Sequence, residues 1–150
     1  MFNSTHHQIV FQEVPEEVAI SFCISGCDVG CKGCHSTELW DANYGAPLTK
    51  SKYLNVLTQY QNMATCVLFM GGEWQPKTLI SYLKLAQEKG FKTCLYTGQE
   101  EIEESIKSHL DYLKLGAYDA QFGGLENKGT NQRFLALPGH QQLNYKFIKE

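Results

Sequence analysis

Four of the six cysteines fall within twelve residues, at positions 23, 27, 31 and 34, and three of them carry the spacing Cys27-x3-Cys31-x2-Cys34. Three thiolates this close can wrap one compact centre, because Gly30 and Gly33 let the backbone fold tightly and leave amides free to bond to sulfur. Zinc and iron–sulfur clusters both accept such thiolates. A structural zinc site closes with four protein ligands, and Cys23 or His35 is near enough in sequence to be the fourth. A [4Fe–4S] cluster on three cysteines instead leaves one iron open to a small molecule, and a contiguous triplet suits it better than it suits the two separated ligand pairs of a closed zinc site. Cys66 and Cys94 sit singly in CVLFM and FKTCLYT, where a lone thiol behaves as a small hydrophobe. Cys23, inside VAISFCIS, is read as a core residue in the same way.

Three further groups stand where chemistry is expected. Gly71-Gly72-Glu73 follows CVLFM directly; alone it reads as a turn with a solvated carboxylate, but its place after a strand, matching that of the cysteine loop, makes it a candidate site. Thr97, in Tyr96-Thr97-Gly98, is placed either to line the same pocket or to cap the following helix. Asn131, Gln132 and Arg133 combine two amides and a guanidinium after a Gly-rich stretch, a set suited to a carboxylate, a backbone or a partner surface. Trp40 and Trp74 read as core or interface aromatics, and His6-His7 as an exposed tail.

These residues need elements to position them. QIVFQEV and EVAISFCIS are β-like runs separated at Pro15, and the second leads into the cysteine loop at 26–36. Tyr53, Val56, Leu57, Tyr60, Met63 and Ala64 recur at helical spacing, CVLFM is a strand, and Pro76 opens a helix that buries Leu79, Ile80, Leu83 and Ala86 and ends at Gly90. FKTCLYT is a strand, Ile102, Ile106, His109 and Leu110 mark a third helix, and YLKLGAY is another strand. The late loop at 119–133 has no period, and strand-like pieces follow near FLALP and LNYKFI. The alternation predicts an α/β fold with a mostly parallel sheet, too few strands for a closed barrel, hence an open partial (β/α) barrel in a single domain over 1–150.

Composition narrows the function classes. The chain is 43% apolar and 19% charged with a formal net charge of −3, which excludes long disorder and a broad electrostatic grip on nucleic acid. No apolar run reaches the ~20 residues of a membrane span, and the first residues lack the regions of a signal peptide. Clustered thiols in such a chain point to a reducing compartment, so a cytoplasmic location is expected.

Cys-x3-Cys-x2-Cys after a first strand, with Gly-Gly-Glu after the next, resembles the radical S-adenosylmethionine superfamily. The resemblance implies that Cys27, Cys31 and Cys34 hold a [4Fe–4S] cluster, that S-adenosylmethionine chelates the open iron, and that Gly71, Gly72 and Glu73 contact the methionine amino group. The aromatic residue that usually precedes the third cysteine is replaced by Gly33, and this departure points to a narrower group. GCDVGCKGCHSTELW, GGEW, LYTG and Gly129-Thr130-Asn131-Gln132-Arg133-Phe134 are together similar to the activating proteins of anaerobic ribonucleoside-triphosphate reductase, with Ser36 in place of a common Asn and Trp74 in place of a common Pro. That resemblance implies cleavage of S-adenosylmethionine to methionine and a 5′-deoxyadenosyl radical, which makes a glycyl radical on the reductase, with a flavodoxin or ferredoxin as electron donor. It also implies a partner or cofactor contact for Asn131, Gln132 and Arg133. Two other readings stay open: the same chemistry on another glycyl-radical enzyme or a small molecule, and a non-catalytic binding module stabilised by zinc.

Overall fold

The computed structural model describes residues 2–4, 6–25 and 45–148. The expectations placed on Cys27, Cys31, Cys34, His35 and Trp40 fall outside the described residues. The chain runs β1 (Phe2–Ser4), β2 (Gln8–Val10), β3 (Ala19–Cys23), β4 (Ala46–Leu48), α1 (Lys50–Tyr60), β5 (Cys66–Met70), α2 (Pro76–Glu88), β6 (Lys92–Tyr96), α3 (Glu104–Lys107), β7 (Tyr112–Leu115), β8 (Arg133–Ala136) and β9 (Gln141–Gln142), and a 3-10 turn at Asn144–Phe147 follows.

Seven strands form one sheet in the order β2-β3-β5-β6-β7-β8-β9, and β1 pairs with β4 in a separate ribbon. β3, β5, β6 and β7 are mutually parallel, as the alternation predicts. The outer pairings, β2 with β3, β7 with β8 and β8 with β9, are antiparallel, so the sheet is mixed and not mostly parallel. The reason is in the connections: parallel pairing needs a crossover, and among the described residues neither 11–18 nor 116–132 contains a helix to make one.

Alternation along the strands divides the core in two. Ile20, Phe22, Val67, Phe69, Leu95 and Leu113 meet Tyr53 and Leu57 of α1, Leu79, Leu83 and Ala86 of α2, and Ile106 of α3, so α1, α2 and α3 cover one face. Tyr53 stacks on Tyr82 at 4.7 Å, its hydroxyl donates to the Tyr82 carbonyl at 2.8 Å, and the Tyr82 hydroxyl donates to the Leu48 carbonyl. The opposite face, with Ala19, Cys66, Leu68, Cys94 and Phe134, is covered by irregular chain through Val14, Leu125 and Leu143.

Three local expectations change. The third helix shrinks to four residues, because after Lys107 the chain tightens into i→i−3 bonds from His109 to Ile106 and from Leu110 to Lys107. LNYKFI forms no strand: the Asn144 amide accepts from Phe134 N–H and donates to the Gln132 carbonyl, both at 2.8 Å, so a side chain takes the place of a backbone ladder. His7 is not a free tail residue, since its ring packs edge-on against Tyr60 at 5.7 Å and lies 6.3 Å from Phe22.

Leu83 is fully buried between α2 and the sheet. Leu83→Ala is expected to lower the stability measured by urea unfolding by about 2–5 kcal/mol, whereas Lys84→Ala on the exposed side stays within about 0.5 kcal/mol of wild type.

Candidate functional site

Parallel strands present their carboxyl ends on a common edge, and here those ends are Cys23, Met70, Tyr96 and Leu115. The ladder continues one residue past the strands: Ile24 N–H to the Met70 carbonyl, Gly71 N–H to Tyr96 and Thr97 N–H to Lys114, each at 3.0 Å. Residue 25, just before the cysteine loop, is thereby held in line with the Gly-Gly-Glu segment and Thr97. β1 braces the same point, with Ser25 N–H donating to the Asn3 carbonyl at 2.9 Å. Because β8 runs antiparallel and opens with Arg133 opposite Leu115, residues 131–133 arrive at this edge as well.

Gly71 and Gly72 have φ of +95° and +108°, a region that L side chains rarely adopt. Space forbids a side chain too: a Cβ on Gly71 would lie 2.7 Å from the Trp74 ring, and one on Gly72 would lie 3.2 Å from the Phe2 ring. Trp74 is therefore a partly buried core aromatic that lies over the first glycine, as its reading as a core residue anticipates. The Gln75 N–H to Gly72 carbonyl bond at 3.0 Å closes the turn. Glu73 is half-buried, and Thr97 Oγ1 donates to its Oε1 at 2.7 Å. Thr97 also accepts from Gln99 N–H at 3.0 Å, and with α3 beginning only at Glu104 it caps no helix.

The Asn-Gln-Arg set separates. Gln132, 3% exposed, lies beside Tyr96 and Lys114 in a cleft of about 620 Å³ on the face opposite α1, α2 and α3, and its amide donates to the Gly116 carbonyl at 3.3 Å. Arg133 donates instead to the Glu100 carbonyl at 3.0 Å, and Asn131 braces the loop by donating to the Ala117 carbonyl at 2.9 Å. The Lys114 ammonium sits over the Tyr96 ring, 4.6 Å from its centre. The Tyr96 hydroxyl donates to the Glu13 carbonyl and ties the segment after β2 across the cleft's floor.

Cys66 and Cys94 are fully buried core residues, as expected from their apolar runs. Burial pushes both thiols well above their ordinary range, and beyond burial the charges of Glu17 and Asp111 raise Cys66 further. Cys23 is half-buried beside Met70, with the two sulfurs 3.6 Å apart. Among the described residues, no group of three or more His, Cys, Asp or Glu could hold a metal ion.

The model of the 4Fe-4S single-cluster domain family matches residues 16–133, a span that runs from the turn before β3 to the first residue of β8. The chain belongs to that family. The 4Fe-4S assignment selects between the two metals left open by spacing alone, and the matched span includes Cys27, Cys31 and Cys34 as well as Gly71-Gly72-Glu73. A relative named as the pyruvate formate-lyase-activating enzyme of Clostridium pasteurianum is 34% identical over 99 residues, which cover 60% of this chain and 41% of the relative. This 4Fe-4S chain thus matches about two fifths of that relative's length. Among the described residues no helix is long and apolar enough to cross a membrane.

Sequence reasoning missed Phe2 and Ile24 as the wall behind the two glycines, since a three-residue strand leaves no periodic signal. It also missed the Thr97–Glu73 contact, for which adjacency of consecutive parallel strands is the only hint.

Two outcomes check this geometry. Gly71→Ala is expected to lower stability by roughly 1–3 kcal/mol through strain at its φ and the clash with Trp74, read by thermal unfolding. Because raised pKa values keep their thiols protonated at pH 8, Cys66 and Cys94 are expected to resist iodoacetamide in the folded chain and to react once it is unfolded, as mapped by mass spectrometry.

Proposed function

We propose that this chain is a radical S-adenosylmethionine activase that makes a glycyl radical on a partner enzyme. The observation that supports this reading is that residue 25, which leads into the cysteine triplet, and the Gly71-Gly72-Glu73 turn are neighbours on one sheet edge, joined through the Ile24–Met70 and Gly71–Tyr96 hydrogen bonds. Cys27, Cys31 and Cys34 would supply the three thiolates of a [4Fe–4S] cluster and would leave one iron open to S-adenosylmethionine. When bound, the two cofactors supply reductive cleavage of the sulfonium and a radical able to take hydrogen from a glycine.

The chain's own residues bind and orient. The two glycines, with the Trp74 and Phe2 rings filling their side-chain positions, shape the turn that carries Glu73, whose carboxylate would take hydrogen bonds from the cofactor's ammonium group. The cleft beside Gln132 and Lys114 opens on the face opposite α1, α2 and α3 and would admit a peptide loop of the partner. In this reading the four parallel strands with helices on one face are an arc of an open (β/α) barrel, and the protein works in the cytoplasm.

The partner we propose is the glycyl-radical subunit of anaerobic ribonucleoside-triphosphate reductase, reduced through a flavodoxin or ferredoxin. The Gly129-Thr130-Asn131-Gln132-Arg133-Phe134 segment supports it. The name of the Clostridium pasteurianum relative favours a second target, pyruvate formate-lyase or a similar glycyl-radical enzyme.

Anaerobic reconstitution with iron and sulfide tests the centre. We expect about four irons per chain, a reduced EPR signal that changes on adding S-adenosylmethionine, loss of both in Cys31→Ala and retention in Cys23→Ala. Tight binding of one zinc with no response to S-adenosylmethionine would overturn the activase and favour a structural module. Incubating the reduced protein with each candidate partner and looking for a glycyl-radical doublet then decides the target.

A further inference from the structure

We infer that Thr97 is a positioning residue, whose hydroxyl fixes the carboxylate of Glu73 without itself touching the cofactor; this rests on the proposed role of Glu73 toward the methionine ammonium. Thr97 Oγ1 has one proton to give and accepts from Gln99 N–H at 3.0 Å, so its O–H is directed to Glu73 Oε1, 2.7 Å away. A hydroxyl-to-carboxylate bond of that length is charge-assisted, and it selects one orientation of a side chain that follows two conformationally permissive glycines.

The hydroxyl is itself held from behind. Thr97 is 5% exposed and its N–H is bonded to the Lys114 carbonyl at 3.0 Å. The next residues are pinned to neighbouring strands: Gly116 N–H donates to the Gln99 carbonyl at 2.9 Å, and Arg133 donates to the Glu100 carbonyl at 3.0 Å. The turn at 97–100 is thus tied to β7 and β8, and through Thr97 those strands set the direction of Glu73. Arg133, read from sequence as a partner or cofactor contact, is one of the ties.

The test uses the reconstituted full chain, with affinity for S-adenosylmethionine measured anaerobically by equilibrium dialysis and iron content and melting temperature followed in parallel. Thr97→Val is expected to weaken binding on the order of tenfold at unchanged iron content, and Thr97→Ser to restore it. In a Glu73→Ala background Thr97→Val should cost nothing further, because the hydroxyl acts only through the carboxylate. In the metal-free chain, the Glu73 carboxyl carbon resonance should move in Thr97→Val and return in Thr97→Ser. Wild-type affinity in Thr97→Val, or an equal loss in the Glu73→Ala background, overturns the positioning role alone. A wild-type chain that binds no S-adenosylmethionine, while its Glu73 resonance still answers to Thr97, overturns the proposed function and the role with it.

Discussion

Parallel pairing of β3, β5, β6 and β7 is the constraint from which the rest of the molecule follows. Parallel neighbours carry their carboxyl ends to the same edge, so three loops separated by dozens of residues along the chain become adjacent there. The register is tight enough that the ladder runs on into those loops: Ile24, Gly71 and Thr97 each donate to the strand beside them. Where these loops begin they are held by the sheet itself, and the Thr97 hydroxyl adds a side-chain bond to Glu73 at 2.7 Å. The antiparallel return of β8 adds residues 131–133 to that edge from the other side.

The two ends of the sheet differ in how their polar groups are paired. At the amino edge the polar groups are closed on one another: Glu17, 8% exposed, pairs with Lys92 at 3.3 Å, and Asp111 accepts from Thr93 N–H at 2.9 Å. The Glu17 carboxylate beside it raises the Lys92 ammonium above its usual range and keeps it charged. At the carboxyl edge, polar groups face a cleft or each other across loop backbone, with glycines where side chains would obstruct. The same division marks α/β folds in which loops after the strands carry the site.

The two faces are also unequal. Three helices bury one face in a continuous core, whereas the other is covered by chain without regular structure, tied down at points such as the Tyr96 hydroxyl on the Glu13 carbonyl and Lys146 on Glu16 at 2.8 Å. A covering of that kind leaves room beside it, and the cleft at Tyr96, Lys114 and Gln132 is that room. Cys66 and Cys94 lie under this covering, where their size matters more than their sulfur.

Much of this was legible in the sequence because it depends on local rules. CVLFM, FKTCLYT and the Pro76-to-Gly90 helix announce themselves through apolar period, a proline at the helix start and a glycine at its end. The Gly-Gly-Glu turn is legible for the same reason, since a tight turn is built from neighbours in the chain, whereas Cys27, Cys31 and Cys34 lie outside the described residues. Long-range partners carry no such mark. That β1 would pair with β4 and set Phe2 against the second glycine, that Asn144 would replace a strand, and that Thr97 would reach Glu73 all depend on elements brought together in the tertiary structure. Sequence alone determined which residues are candidates for chemistry, by their types and spacing. Tertiary structure alone decided that Gln132 faces the cleft while its neighbour Arg133 is tied to the turn at 97–100, because Gln132 ends the loop before β8 and is held by the Gly116 carbonyl, whereas Arg133 opens β8, whose long-range pairing with β7 has no mark in the local sequence.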